Sequence, residues 1–226
     1  MIELHAVKLP KHIEKTKFNN LILHVPEERQ VTIKRFIKIQ DSLRTLTGEI
    51  LTRCAIRERT KLANKEVVFA INKYGKPYVK NVENLQFNVS HSGEWVVCAV
   101  DTEPIGIDIE IIKSINLKVA KRFFSQEEYR DFVSKDENGK TSYFYDLWTL
   151  KESYIKAVGR GLSIPLNTIT IQLGRSGINI KNPPVEGDFY FKQYWIDDLY
   201  KLSVCSTSAD FPDFVTLKSI KEIIIR

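Results

Sequence analysis

The stretch Ile105-Gly106-Ile107-Asp108-Ile109-Glu110 limits what this chain can fold into more than any other. In a strand, side chains two residues apart share a face. The isoleucines at 105, 107 and 109 therefore point together into a core, and Gly106, Asp108 and Glu110 point together the other way. Two carboxylates on one face of an otherwise apolar strand repel each other. Either they are solvated, or they share a cation, and hard carboxylate oxygens suit Mg²⁺. Gly106, on the same face, leaves room for something to lie against the backbone.

A second stretch, Trp148-Thr149-Leu150-Lys151-Glu152-Ser153-Tyr154-Ile155-Lys156, falls in a long aromatic helix predicted over about 141–158 and closed by Gly159-Arg160-Gly161. Glu152 and Lys156 are four apart and share a helix face. Alone they read as an ordinary exposed ion pair. Beside Asp108 and Glu110, Glu152 becomes a third carboxylate for Mg²⁺, and Lys156 becomes a cation about one turn away for phosphate oxygens. Acids for a metal plus a lysine suit phosphoryl transfer. A third stretch, Asn88-Val89-Ser90-His91-Ser92-Gly93, follows a strand predicted over 85–89 and reads as the tip of a hairpin with 95–100. Such a turn can present backbone N–H groups and an imidazole to a phosphate, or it is a plain surface tip. There is no His/Cys cluster at zinc spacing, no G-x-x-x-x-G-K-[ST] and no G-x-G-x-x-G.

Composition narrows the partners. The net charge of +6 suits an anionic ligand or an acidic partner. The Lys and Arg residues are scattered, with no block of five or six, which argues against nucleic-acid binding. Cys54, Cys98 and Cys205 are odd in number, far apart and set among apolar residues, the pattern of buried reduced thiols. No stretch approaches the roughly 20 apolar residues of a membrane span, and the N-terminus lacks the apolar run of a signal peptide. A cytoplasmic location is the expectation.

With 226 residues, 43% of them hydrophobic, the chain can build one large domain or two small ones. Strands are predicted over 2–9, 67–72, 169–173, 189–195, 199–206 and 215–217. Helices are predicted from Pro26 to about 36, from an Asp41 N-cap over 42–59, over 115–124, and after Ser125, whose Ser125-Gln126-Glu127-Glu128 is a capping box. Tyr74-Gly75-Lys76-Pro77 reads as a turn and 136–140 as a loop. This order predicts an α+β fold of two similar α/β halves, 1–103 and 104–226. A pseudo-twofold would relate them, each a small, mainly antiparallel sheet with packed helices, with a cleft between.

Taken together, Phe87-Asn88-Val89-Ser90-His91-Ser92-Gly93, Gly106-Ile107-Asp108-Ile109-Glu110, Phe123-Phe124-Ser125 and Trp148-x-x-Lys151-Glu152-Ser153-x-x-Lys156 resemble the 4′-phosphopantetheinyl transferases. The likeness is to the long, monomeric, surfactin-synthetase-activating type of bacilli. Arg44-Thr45-Leu46-x-Gly48, Tyr74-Gly75-Lys76-Pro77 and Arg160-Gly161-Leu162-Ser163-x-Pro165-Leu166 fit the same pattern, so it spans almost the whole chain. The resemblance implies transfer of phosphopantetheine from coenzyme A to a serine of an acyl- or peptidyl-carrier protein, releasing adenosine 3′,5′-bisphosphate. It implies that Asp108, Glu110 and Glu152 coordinate Mg²⁺, and that Lys156 contacts the phosphates and steadies the departing one. It places Ser90 and His91 on the pyrophosphate and the 3′-phosphate. It places Arg44, Thr45, Gly75, Lys76 and Pro77 around the adenine and 3′-phosphate. Near Pro26 the family pattern offers two lysines for the 3′-phosphate; Arg29 stands for the first, and the second falls on Thr32, with Lys34 nearby.

Glu152 is the expected general base, directly or through a water. Residues 112–124, with Lys113, Lys118, Lys121 and Arg122 beside Phe123 and Phe124, offer a docking face for an acidic carrier, although helical aromatics also suit a core. The expected setting is nonribosomal peptide or antibiotic biosynthesis. A Mg²⁺-dependent nucleotide pyrophosphate hydrolase would use the same acids and lysine with water as the nucleophile.

Overall fold

The computed structural model describes residues 1–174, 177–181 and 183–224. The first half contains β1 (Glu3–Lys8), α1 (Lys15–Leu21), α2 (Glu27–Lys34), α3 (Ile39–Thr60), β2 (Phe69–Ile71), β3 (Pro77–Val79), β4 (Gln86–Ser92) and β5 (Trp95–Asp101). The rest contains β6 (Ile105–Ile111), α4 (Leu117–Phe123), α5 (Gln126–Ser134), α6 (Glu137–Val158), β7 (Thr170–Gly174), β8 (Gly177–Lys181), β9 (Tyr190–Tyr194), β10 (Tyr200–Ser206), β11 (Thr216–Leu217) and α7 (Ile220–Ile223).

Two sheets form the centre, ordered β11-β1-β5-β4 and β6-β10-β9, with small hairpins β2-β3 and β7-β8 beside them. The β1–β11 pair is parallel; the other pairs in the two sheets are antiparallel. Each sheet carries one 22-residue helix, α3 or α6. Leu43, Leu46 and Ile50 of α3 pack with Val96, Cys98 and Val100 of β5. Leu147, Leu150 and Tyr154 of α6 pack with Cys205 of β10 and with Phe124 and Phe132. Between the sheets, Ile105, Ile107 and Ile109 meet Leu4, Ala6, Val97 and Ala99, all buried. The layers are therefore helix, sheet, sheet, helix, an α+β fold of two similar halves. Full burial of an isoleucine is worth about 1.5–3 kcal/mol, so the alternation in β6 fixes which face joins the halves. Past β10 the chain returns to the first half, where Lys218 N–H bonds the Ala6 carbonyl and Ile223 enters the first core.

Three local expectations are corrected. First, α3 starts at Ile39, and Asp41 lies in its first turn, paired with Arg44, instead of capping it. Second, residues 136–140 are not a loop: Asp136 caps α6 by accepting from Gly139 N–H at 2.7 Å, so the helix begins at Glu137. Third, β4 runs on through Ser92, so Ser90 and His91 are paired strand residues opposite Val97 and Val96, and only Gly93-Glu94 turns. The Ser125 capping box forms as predicted, and all three cysteines are buried and unbridged.

Candidate active site

Gly106 sets how closely β6 and α6 approach. A Cβ there would lie 2.0 Å from the Ser153 carbonyl oxygen and 2.4 Å from the Ala157 nitrogen. Strand and helix thus touch backbone to backbone. That contact brings Glu152 and Lys156 of α6 onto the same face as Asp108 and Glu110. Lys156 Nζ donates to Asp108 Oδ1 at 2.6 Å, to Ser90 Oγ at 3.0 Å and to the Ile107 carbonyl at 3.1 Å. Its ion-pair partner is therefore Asp108, not the helix neighbour Glu152 expected from spacing.

One lysine faces three acids. Burial raises the Glu110 pKa first, and the Asp108 charge raises it further, against the hydrogen bond from Ser92 and the Lys156 charge. Burial likewise raises that of Glu152, with Asp108 next and Glu110 adding to it, opposed by Lys156. Asp108 is 3% exposed, and its Oδ2 has no hydrogen-bond partner among the described residues. An unpaired buried carboxylate oxygen beside two acids with raised pKa values is the chemistry of a hard-cation site. As the side chains are oriented, no three acid, imidazole or thiol groups among the described residues are ready-made to hold a metal ion.

β4 supplies the other wall. Ile107, Ile109 and Ile111 direct their N–H groups away from β10, and each is met by a β4 side chain: Asn88 Oδ1 at 2.9 Å, Ser90 Oγ at 3.4 Å and Ser92 Oγ at 3.1 Å. The two serines also donate, Ser90 to Asp108 Oδ1 at 2.9 Å and Ser92 to Glu110 Oε2 at 2.7 Å. This seam replaces a backbone ladder between two sheet edges, and it fixes the rotamers of both acids.

The opposite face of β4 lines an open cavity of about 920 Å³ through Phe87, Val89 and His91, within the usual range for small-molecule sites. Arg29, Thr45, Gly75 and Pro77 line it too. Arg44, Lys76 and Ser90 do not. Arg44 donates to the Gly93 carbonyl at 2.8 Å and pairs with Asp41. Lys76 Nζ donates to the Ile105 and Ala157 carbonyls, both at 3.1 Å, and burial pulls its pKa down to about 8. The His91 pKa is lowered, first by desolvation and then by the Arg44 and Lys156 charges. Within the cavity wall Glu49 accepts from Arg29 Nε at 3.0 Å and from Arg53 Nε at 2.9 Å. Arg53 in turn bonds the Asn64 and Val67 carbonyls.

Asn88, Ser92, Glu49 and Arg53 are site residues that the sequence reading does not single out. The matched period of 88/90/92 and 107/109/111 is a signal for the seam; Glu49 and Arg53 give none beyond an i,i+4 pair. Lys151, central to its motif, is structural. It is 1% exposed, pairs with Glu128, and donates to the Phe123, Leu166 and Ile169 carbonyls. Of the candidate docking aromatics, Phe124 is core and packs on Phe132 and Phe144, while Phe123 is half-buried against Trp148.

The chain matches two family descriptions, one after the other: "4′-phosphopantetheinyl transferase, N-terminal" over residues 12–103 and "4′-phosphopantetheinyl transferase superfamily" over 104–207. It is 38% identical over 224 residues to 4′-phosphopantetheinyl transferase Sfp of Bacillus subtilis (strain 168), covering 99% of this chain and 100% of that one. It is 39% identical to 4′-phosphopantetheinyl transferase gsp of Aneurinibacillus migulanus, over 91% of this chain and 86% of that one. A solved holo-(acyl-carrier-protein) synthase from Bacillus anthracis str. Ames overlaps 46% of this chain and 93% of its own, at 19% identity and a TM-score of 0.38. Likeness to Sfp and gsp at that identity over nearly the whole length, on a chain whose acids and lysine meet at the β4–β6 seam with a cavity on the opposite face of β4, shows that it belongs to the 4′-phosphopantetheinyl transferases.

Proposed function

We propose that coenzyme A lies across β4, with its nucleotide in the cavity of the first half and its pyrophosphate over β6 and α6. As a member of this family the protein transfers the 4′-phosphopantetheine group of coenzyme A to a serine of a carrier protein and releases adenosine 3′,5′-bisphosphate. The observation that carries the placement is the alternation of β4. One face, with His91, belongs to the cavity; the other, with Ser90 and Ser92, holds the acids.

Asp108, Glu110 and Glu152 are the proposed ligands of Mg²⁺. Their oxygen donors, the unpartnered Asp108 Oδ2 and the raised pKa values of both glutamates support this. Bound there, the ion would neutralise charge on the phosphoryl oxygens. The chain's own groups do the rest. Arg29 and His91 face the anionic nucleotide from the cavity wall, with Thr45, Gly75 and Pro77 beside them. Lys156 donates to the phosphate that departs as the serine oxygen forms its bond to the pantetheine-bearing phosphorus. Glu152 takes the serine proton, directly or through a water. The exposed Lys113, Lys118, Lys121 and Arg122 offer an acidic carrier a basic approach.

Among the described residues no helix is long and apolar enough to cross a membrane. A cytoplasmic monomer acting on carriers of nonribosomal peptide or antibiotic synthesis, with halves divided at 103/104 and residues 216–223 returning to the first, completes the proposal. Calorimetry of coenzyme A binding with and without Mg²⁺ tests the site. Mg²⁺ should tighten binding in the parent and change little in Glu110→Gln; an equal response in both would contradict the metal assignment.

A further inference from the structure

The turn that follows β2 touches the cavity on one side and the end of α6 on the other. Gly75 and Pro77 line the cavity. Lys76, between them, points away. α6 ends at Gly159, in the left-handed region at φ 72°, and its last carbonyls have no partner within the helix. Lys76 Nζ donates to one of them, Ala157, at 3.1 Å, and Asn72 Nδ2 donates to the Gly159 carbonyl at 3.1 Å. The same ammonium bonds the carbonyl of Ile105, where β6 begins. One charged group of the first half thus ties together the ends of the strand bearing Asp108 and Glu110 and of the helix bearing Glu152 and Lys156.

The fit is close and the turn is braced. A Cβ on Gly159 would come within 2.7 Å of Lys76 Cδ, so the lysine stem lies flat on the helix end. Asn72 Oδ1 accepts from the Tyr74 and Lys76 N–H groups at 2.8 and 2.9 Å, which fixes the orientation of its amide. A cation at a helix C-terminus is also favoured by the helix dipole. Two of its three donors go to these carbonyls, and Lys76 does not line the cavity, so it is poorly placed to serve coenzyme A phosphate there.

We infer that Lys76 and Asn72 are positioning residues. They cap α6 from the opposite half and hold Glu152 and Lys156 in register with Asp108 and Glu110, instead of binding coenzyme A. This rests on the reading that α6 carries the reacting groups. It predicts that a change here is felt in the chemical step and not in nucleotide affinity.

Steady-state kinetics with coenzyme A and an apo carrier protein test it, alongside calorimetry of coenzyme A binding. Lys76→Met keeps the stem and removes the ammonium. It should lower kcat by about ten-fold while KM and Kd for coenzyme A stay within about two-fold of the parent. Lys76→Arg, which keeps a donor and a charge, should recover part of that kcat. Asn72→Ala should lower kcat in the same sense, and it carries the test alone if Lys76→Met does not fold. A Lys76→Met enzyme with kcat intact and coenzyme A binding weakened about ten-fold or more would make Lys76 a phosphate ligand and overturn the inference. Unchanged kcat in both variants would overturn it as well. Full activity in Glu152→Gln and Lys156→Met would instead remove the reacting groups from α6, a failure distinct from either of those.

Discussion

Where β6 touches α6, Asp108, Glu110 and Glu152 gather around the ammonium of Lys156, which bonds Asp108 directly. Glu110 and Glu152 have raised pKa values in the fold, chiefly from burial and then from Asp108. An acid with a raised folded pKa holds its proton more tightly than the unfolded chain does. Both residues therefore cost stability as the pH climbs from the ordinary glutamate value through their raised values. A divalent cation offsets that cost only where the acids are ionised. The thermal gain on adding Mg²⁺ should accordingly be larger near about pH 7.5 than near about pH 5. At 100 times Kd, the full gain is about 2.7 kcal/mol. Melting curves with and without Mg²⁺ at the two pH values check this, and an equal gain at both would contradict it. Lys151 answers to a different measurement. Lys151→Met leaves Glu128 buried without its cation, which should cost about 3–5 kcal/mol, read as about 2–4 °C of Tm per kcal/mol. A parental melt with activity lost would place Lys151 in the chemistry instead. Asp108, Glu110 and Glu152 are legible in the sequence because strand and helix periods assign side chains to faces without tertiary information. The partner of Lys156 is not, since an i,i+4 neighbour and a residue 48 positions away compete for it, and only the backbone contact at Gly106 decides for Asp108.

At the scale of elements, that contact and the β4 seam hold the site. Gly106→Ala has no room to relax, because the atoms it would strike are backbone of α6. Its cost should reach at least the upper end of the roughly 1–3 kcal/mol of ordinary overpacking, read as a lower urea midpoint and lost transfer activity. A stable, active Gly106→Ala would refute the close approach. Asn88→Ala should cost about 1–3 kcal/mol by stranding the buried Ile107 N–H; an unchanged urea midpoint would argue that water takes over the bond. The alternation of β6 is readable from its residues alone, and so is the Ser125 cap. The length of β4 is not. Ser90-His91-Ser92-Gly93 has turn composition, yet the edge of β6 offers three N–H groups that only an extended β4 can meet with Asn88, Ser90 and Ser92. The start of α6 is hidden for a related reason: Gly139 reads as a breaker, while the Asp136 cap supplies the acceptor that its N–H needs.

At the scale of the whole molecule, two sheets stack through the isoleucine face of β6, and each carries one long helix on its outer side. The repeated order of strands and helices makes two similar halves predictable. The return of β11 and α7 to the first half is not, because a two-residue parallel pairing leaves almost no pattern in sequence. That arrangement sets the cavity and the acids on opposite faces of one strand, which suits a substrate with a nucleotide at one end and a pyrophosphate to be broken beside it. The group leaving the nucleotide goes to a protein serine. Intact-mass spectrometry of an apo carrier protein, incubated with this enzyme, coenzyme A and Mg²⁺, reads that transfer. A gain of one phosphopantetheine on the serine is expected with the parent and none with Glu110→Ala. Release of adenosine 3′,5′-bisphosphate while the carrier keeps its original mass would contradict it.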